Sequence, residues 1–285
     1  MNETEINWTE LTWNPASGCT KVSAECKYCY AQTLAENKRG TRAFPNGFDM
    51  TIRPWKLDEP RRVKRPSLIF TNSMTDMFHA QIPDEYRDQI CDVIEQYPQH
   101  RYQVLTKRPE VAARYFQRRP VPDSLWLGVT CGIDETLGRV DILRTIDARV
   151  RFVSAEPLLS ALPIRLDGIH WLIAGGESGS HLSDPHTLEL RGLVRRGDRR
   201  GGESLWVPRE DRVQWIADLR DRCLEAGTAF WFKQWGGPRP AGGGRVLDGR
   251  TWDQMPTHVP GAMPESYVHR ASRQSHAQVS LPVVA

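Results

Sequence analysis

From residue 67 onward the chain repeats one unit: a short, unbroken apolar run followed by a helical segment. The runs are Ser67–Thr71 (SLIFT), Arg101–Leu105 (RYQVL), Leu125–Val129 (LWLGV), Val150–Ser154 (VRFVS), Ile169–Ala174 (IHWLIA) and Ala229–Phe232 (AFWF). Between and after them, Asp84–Gln96, Glu110–Gln117, Thr136–Ile146 and Arg209–Ala226 have helix-forming composition. An earlier run, Thr9–Trp13, adds a first strand; Asn14-Pro15 ends it, and Tyr30–Lys38 is a further helix. Apolar runs of this length are buried on both faces, which is the habit of parallel strands. Right-handed β–α crossovers between them wind into a barrel. The expected fold class is therefore α/β: a partial or near-complete parallel (βα) barrel of about six to seven strands. A chain of 285 residues is long enough to bury its core.

The expected barrel spans residues 1–237 and is interrupted by an insertion at 178–208 that is too long for an ordinary βα loop. Residues 238–257 read as a small irregular extension, and 258–285 as a disordered tail. The insertion holds Arg191, Arg195, Arg196, Arg199 and Arg200, and is either a solvated loop or an anion-binding arm over the substrate. The stretch 53–66 (RPWKLDEPRRVKRP) is also strongly basic, as a solvated connection or as a basic edge beside an anionic substrate. Net charge is only +3, so the whole chain has no nucleic-acid signature. No apolar run reaches the ~18 residues of a membrane span, and the polar, acidic start MNETEINWTE does not resemble a signal peptide. The expected location is the cytoplasm, where thiols stay reduced.

In that setting the cysteines matter. Cys19, Cys26 and Cys29 fall within eleven residues, just after the first strand, while Cys91, Cys131 and Cys223 lie in apolar surroundings as small core residues. Three close thiolates hold a metal ion or an iron–sulfur cluster. Zinc needs a fourth ligand, for which His79 or His170 is available. A cubane held by three cysteines leaves one iron open for a ligand. Active sites of parallel barrels gather at the C-terminal ends of the strands. Besides the cysteines, those ends carry Asn72, Ser73 and Asp76; Thr106, Lys107 and Arg108; Thr130; Ser154 and Glu156; Gly175, Gly176 and Glu177; and Lys233 and Gln234. Every strand delivers polar residues to one end, which predicts a polar pocket there. Cys29, at the start of a helix, has its thiolate favoured by the helix dipole.

A CxxC with an aromatic before its last cysteine, after the first strand of a βα barrel, resembles the radical S-adenosylmethionine (SAM) superfamily. More widely, WNPASGCTKVSAECKYCYA, IFTNSMTDMFH, VLTKRPE, LWLGVT, FVSAEPLL, LIAGGESG and FWFKQWGG, between about residues 8 and 237, resemble a phage-encoded three-cysteine-motif family of uncharacterised proteins. The resemblance implies a [4Fe–4S] cluster on Cys19, Cys26 and Cys29, with SAM as cosubstrate on the remaining iron. It implies reductive cleavage of SAM to methionine and a 5′-deoxyadenosyl radical, supplied with electrons by a flavodoxin- or ferredoxin-type protein. Here the first two cysteines are separated by six residues instead of the usual three, so Thr20–Glu25 should bulge over the cluster. The superfamily's GGE-type motif normally follows the second strand, whereas Gly175-Gly176-Glu177 follows the sixth. The role of holding the SAM amino group is therefore assigned to Asn72, Ser73 and Asp76. Lys107 and Glu156 are assigned to the ribose or carboxylate, with Thr130, Gly175, Gly176 and Glu177 also lining the cofactor site. Gly175 and Gly176 are expected to let the backbone approach a ligand, and Lys233 and Gln234 to face substrate. The phage resemblance and the arginine-rich loops point to a nucleic-acid or nucleotide substrate. The competing readings are a metal-stabilised nucleic-acid-binding or interaction protein without catalysis, and a zinc hydrolase using His79 and Asp76.

Overall fold

The computed structural model describes residues 1–197, 206–239 and 242–256. In chain order the elements are β1 (Asn2–Glu3), β2 (Leu11–Trp13), β3 (Ala16–Ser17), α1 (Tyr30–Glu36), β4 (Thr51–Ile52), β5 (Leu68–Thr71), α2 (Asp84–Gln96), β6 (Arg101–Thr106), α3 (Pro109–Phe116), β7 (Leu125–Thr130), α4 (Gly138–Arg144), β8 (Val150–Ala155), β9 (Trp171–Gly175), α5 (Pro185–Arg191), β10 (Val194–Arg196), β11 (Trp206–Pro208), α6 (Glu210–Ala226) and β12 (Ala229–Gln234). One eight-stranded sheet runs in the order β1-β2-β5-β6-β7-β8-β9-β12. The seven strands expected from sequence all pair in parallel with their neighbours. The short β1 lies antiparallel on the β2 edge.

The sheet curls around a tryptophan. Trp171 makes ring contacts with Trp8 at 6.0 Å, Trp126 at 6.0 Å, Phe152 at 5.7 Å and Trp231 at 6.2 Å. Trp8 in turn lies 4.8 Å from Phe70 of β5. Laid flat at about 4.8 Å per strand, β5 and β9 would stand far beyond ring contact, so the strands must wrap a common interior. That interior holds Trp8, Leu68, Phe70, Trp126, Phe152, Trp171, Ile173 and Trp231. A second, larger core lies on the outer face, where the helices pack on residues such as Ile69, Val104, Leu127, Val153, Leu172 and Phe230. Alternate residues of each strand serve the two cores, which is why the strands read as continuous apolar runs.

The curl does not become a closed barrel: among the described residues no ladder joins β12 to β2 or β1. The gap is spanned by a side chain. Asn7 accepts a hydrogen bond from Trp231 Nε1 at 3.2 Å and donates to the Lys233 carbonyl at 3.4 Å. The free edge of β12 is covered by the irregular segment after it, through Phe232 N to Trp252 O at 2.9 Å and Gln254 N to Phe230 O at 3.0 Å.

The insertion at 178–208 differs from a featureless loop. It contains α5 and the antiparallel pair β10–β11, with Arg191 buried and Arg195 paired to Glu210 at 3.1 Å. Arg199 and Arg200 fall outside the described residues, as does the tail expected at 258–285. Cys91, Cys131 and Cys223 are fully buried, as their surroundings predicted. No helix among the described residues is long and apolar enough to cross a membrane.

Candidate functional site

The site begins where β2 stops. Asn14 Oδ1 accepts from Met74 N at 2.9 Å and from Ser73 Oγ at 3.2 Å, fastening the strand end to the loop after β5. Gly18, at φ 91°, then lets the chain pass the Asp49 backbone, where any side chain would collide. The cysteine loop follows. A single 3₁₀ turn spans Ala24–Cys26, and Cys29 sits at the N-cap of α1.

This loop is held from four sides. Arg108, after β6, donates from Nη1 to Cys19 Sγ at 3.5 Å and from Nη2 to the Thr20 carbonyl and hydroxyl, both at 2.9 Å. Glu25, buried in the 3₁₀ turn, accepts from Gly132 N and Thr136 Oγ1 after β7, each at 3.0 Å, and faces Arg139 at 3.3 Å. Tyr28 stacks on His181 after β9, with centroids 3.9 Å apart and planes within 6°. Arg191 lies over the Tyr28 ring at 5.2 Å and donates to the Ala24 carbonyl at 3.2 Å. Tyr30 OH donates to the Ser73 carbonyl at 2.7 Å, back at β5. The expected bulge over Thr20–Glu25 is thus half a bulge: Thr20–Val22 form an exposed crest, while Glu25 is a buried foot.

Cys19, Cys26 and Cys29 are free thiols of intermediate exposure. Burial pushes the Cys19 thiol up and the nearby Asp76 carboxylate adds to this, while Arg108 works the other way. Among the described residues no three His, Cys, Asp or Glu side chains converge into a site for one metal ion. Zinc, with Zn–S bonds of about 2.3 Å, requires such convergence. Of the two histidines considered for it, His79 lies against the cysteine loop with both ring nitrogens engaged, and His170 lies far from it. His79 meets Thr20 Oγ1 at 3.0 Å through Nε2 and Gln81 N at 3.2 Å through Nδ1. His170 precedes β9, at the opposite end of the strands, and accepts from Arg151 N at 3.0 Å. A cubane distributes its protein ligands over three separate irons, and three half-exposed thiols on one loop are the donor set it takes.

Above the interior tryptophans the lining turns polar. Thr130, Ser154, Gly175 and Lys233 follow Trp126, Phe152, Ile173 and Trp231 on the same side of their strands. Glu156 joins them, 3.0 Å from Lys233 Nζ. A Cβ at Gly175 would stand 2.7 Å from Glu156 Oε1, the far end of a flexible side chain. Asn72, beside the end of β2, has φ 63°, and neither its amide oxygen nor its nitrogen has a partner among the described residues although it is 2% exposed. Thr130 Oγ1 is likewise buried and unpartnered. Such orphans are uncommon in a folded core; Trp8 Nε1, Thr71 Oγ1 and Gln103 Oε1 share this state.

The other expected site residues are occupied by the protein itself. Asp76 accepts from Phe78 N, Thr106 Oγ1, Lys107 N and Arg108, so it orders the loops instead of standing open for a ligand. Ser73 is tied to Asn14. Glu177 is clasped by Arg191 at 2.5 and 2.7 Å. Gly176 answers a steric need: its missing Cβ would strike the Trp235 carbonyl, not a ligand. Gln234 Nε2 donates to Ser178 Oγ at 2.6 Å. Sequence reasoning gave no role to Glu25, Arg139 or His181, and placed Arg191 in a solvated loop or anion-binding arm, not as an anchor of the cysteine loop. The only signal was that Glu25 and Arg191 lie in segments of unusual length.

Residues 3–194 and 199–256 match the family model described as "Protein of unknown function (DUF5131)". The chain belongs to this family. In architecture, this DUF5131 protein is similar to spore photoproduct lyase complexed with dinucleoside spore photoproduct, at TM-score 0.50 and 12% identity, over 81% of this chain and 78% of that one. A cysteine-to-alanine mutant of the same lyase with dinucleoside spore photoproduct is similar at TM-score 0.50 and 13% identity, with the same coverage. At these identities the likeness is one of fold. No curated protein matches the DUF5131 chain significantly.

Proposed function

We propose that this protein is a radical SAM-type iron–sulfur enzyme acting on a nucleic acid or nucleotide. The observation that carries the reading is the cysteine loop. It lies across the C-terminal ends of a curled parallel sheet, fastened to four strand-end loops, above a polar lining with buried, unpartnered Asn72 and Thr130. A ligand loop fastened at four points beside buried polar groups without partners has the support that a preorganised cofactor site needs.

In this reading Cys19, Cys26 and Cys29 would hold a [4Fe–4S] cluster beside bound SAM. Bound there, the cluster would supply the electron for reductive cleavage of SAM to methionine and a 5′-deoxyadenosyl radical. The chain's own residues bind and orient. Asn72 and Thr130 offer hydrogen bonds to the polar parts of SAM. Lys233 and Glu156 present a cation and a carboxylate side by side, suited to a zwitterionic amino-acid group or to substrate. Arg108 keeps Cys19 in place. The electron comes from a flavodoxin- or ferredoxin-type partner in a reducing, cytoplasmic setting, and a phage-encoded origin belongs to the same reading. The substrate class is supported by the exposed basic stretch and by the fold likeness to spore photoproduct lyase complexed with a dinucleoside spore photoproduct.

The test is anaerobic reconstitution with iron and sulfide. The expected result is a brown protein with about four irons per chain that releases 5′-deoxyadenosine when given SAM and a reductant. Cys19→Ala should abolish both, and Asn72→Ala should keep the cluster while weakening SAM binding. A colourless protein that takes one zinc tightly and leaves SAM intact would refute the proposal.

A further inference from the structure

A second feature lies outside the cysteine site. Residues 53–66 hold six cations and two carboxylates, net +4, against +3 for all 285 residues. The structure fixes this stretch alongside β2. At one end Arg53 N donates to the Pro15 carbonyl and Trp13 Nε1 to the Lys56 carbonyl, both at 2.7 Å. At the other, Arg65 reaches Glu10 at 3.6 Å. In the middle the N-terminal amine binds Glu59 at 3.1 Å, and Leu57 and Val63 pack into the outer core. The strip therefore starts beside the root of the cysteine loop and runs the length of the strand.

Its outward residues are unusual in combination. Trp55 is 68% exposed, the most exposed large apolar side chain among the described residues. The side chains of Arg62 and Lys64 are exposed and have no ion pair or hydrogen bond among the described residues. Arg61 and Arg65 are exposed too, each with one loose carboxylate contact at 3.6 Å. An exposed indole has no use in a solvated connection, and cations alone do not require one. A bare aromatic face followed by a row of cations is the arrangement that binds single-stranded nucleic acid, with a base stacked on the ring and the backbone along the charges.

We infer that Trp55, Arg61, Arg62, Lys64 and Arg65 form a docking strip for single-stranded nucleic acid leading to the cysteine-loop end of the sheet. The inference deepens the nucleic-acid part of the proposed function and rests on it for its use. It is read without cluster or SAM, so its failure and the failure of the radical SAM reading are separable.

The test is fluorescence anisotropy of a labelled single-stranded oligonucleotide with the full chain as purified, across a salt series. Binding should weaken steeply with salt, and Arg62→Glu with Lys64→Glu should reduce the log–log slope by about one to two. Trp55→Ala should weaken binding by about tenfold with its salt slope unchanged, whereas Arg149→Glu, just before β8 and four strands from β2 in the sheet, should have no effect. Circular dichroism confirms that each variant is folded. Absence of binding at low salt, or binding indifferent to Trp55→Ala, would overturn the inference. So would equally effective competition by polyglutamate, which would assign the strip to acidic protein.

Discussion

The Arg108 guanidinium donates to Cys19 Sγ at 3.5 Å while bound to Asp76 at 3.0 Å, so a cation pinned by a buried carboxylate addresses one cysteine of the three. Positive charge and N–H donors near cluster sulfurs stabilise the reduced form. Arg108→Gln is therefore expected to lower the midpoint potential of the reconstituted cluster at unchanged iron content. A redox titration followed by EPR measures this, and equal potentials in both proteins would remove Arg108 from the account.

Glu25 is the buried foot of the ligand loop. Burial alone would raise its carboxyl pKa, but hydrogen bonds from Ser23, Gly132 and Thr136 and the Arg139 charge outweigh this and hold it below 4.5. A carboxylate depressed in the folded state stabilises above its unfolded pKa and loses that contribution as pH falls through the folded value. Wild-type stability should thus drop below pH about 4.5 relative to Glu25→Gln, which has no such group to protonate. Glu25→Ala leaves Arg139 without its carboxylate and should cost about 3–5 kcal/mol. Thermal melts at neutral and acid pH distinguish the two variants.

Arg191 serves Glu177, Tyr28 and the Ala24 carbonyl at once. Arg191→Met should strand the buried Glu177 charge, at about 3 kcal/mol, and loosen the loop. Hydrogen exchange is expected to accelerate over residues 24–29. Arg191→Lys should not restore protection, because an ammonium cannot make the paired contact.

Gly176→Ala tests whether that glycine is steric. The added methyl meets the Trp235 carbonyl, and since Gly176 N bonds Gln234 O at 2.9 Å, β9 and β12 would have to part. A loss of about 2–3 kcal/mol is expected. Gly138→Ala, with nothing within 4 Å, should be neutral or slightly stabilising.

The strands were legible because each is buried on both faces: a run such as LWLGVT admits little else, and α2 was bounded correctly at Asp84–Gln96. Trp171 as the hub of the curl was not legible, since nothing local tells an inward Trp from an outward one. At the site, the strand-end rule found the right positions but could not divide them. Asp76 and Asn72 are both short polar residues after the same strand. One is saturated by Phe78 N and by three donors from the end of β6 and the loop after it, and the side chain of the other is unpartnered. That difference is set by residues 30 and more positions away, which no local pattern records.

The anchors of the cysteine loop also set an order of events in synthesis. Arg108, Gly132, Thr136, Arg139 and Arg191 all leave the ribosome long after Cys29, the last of them 162 residues later. At 5–20 residues per second that is a delay of roughly 10–30 s. The three thiols are made long before the loop that carries them can be fastened. Through that interval they are exposed to stray metal ions and oxidants, and the loop that carries them takes its final form only when α5 docks.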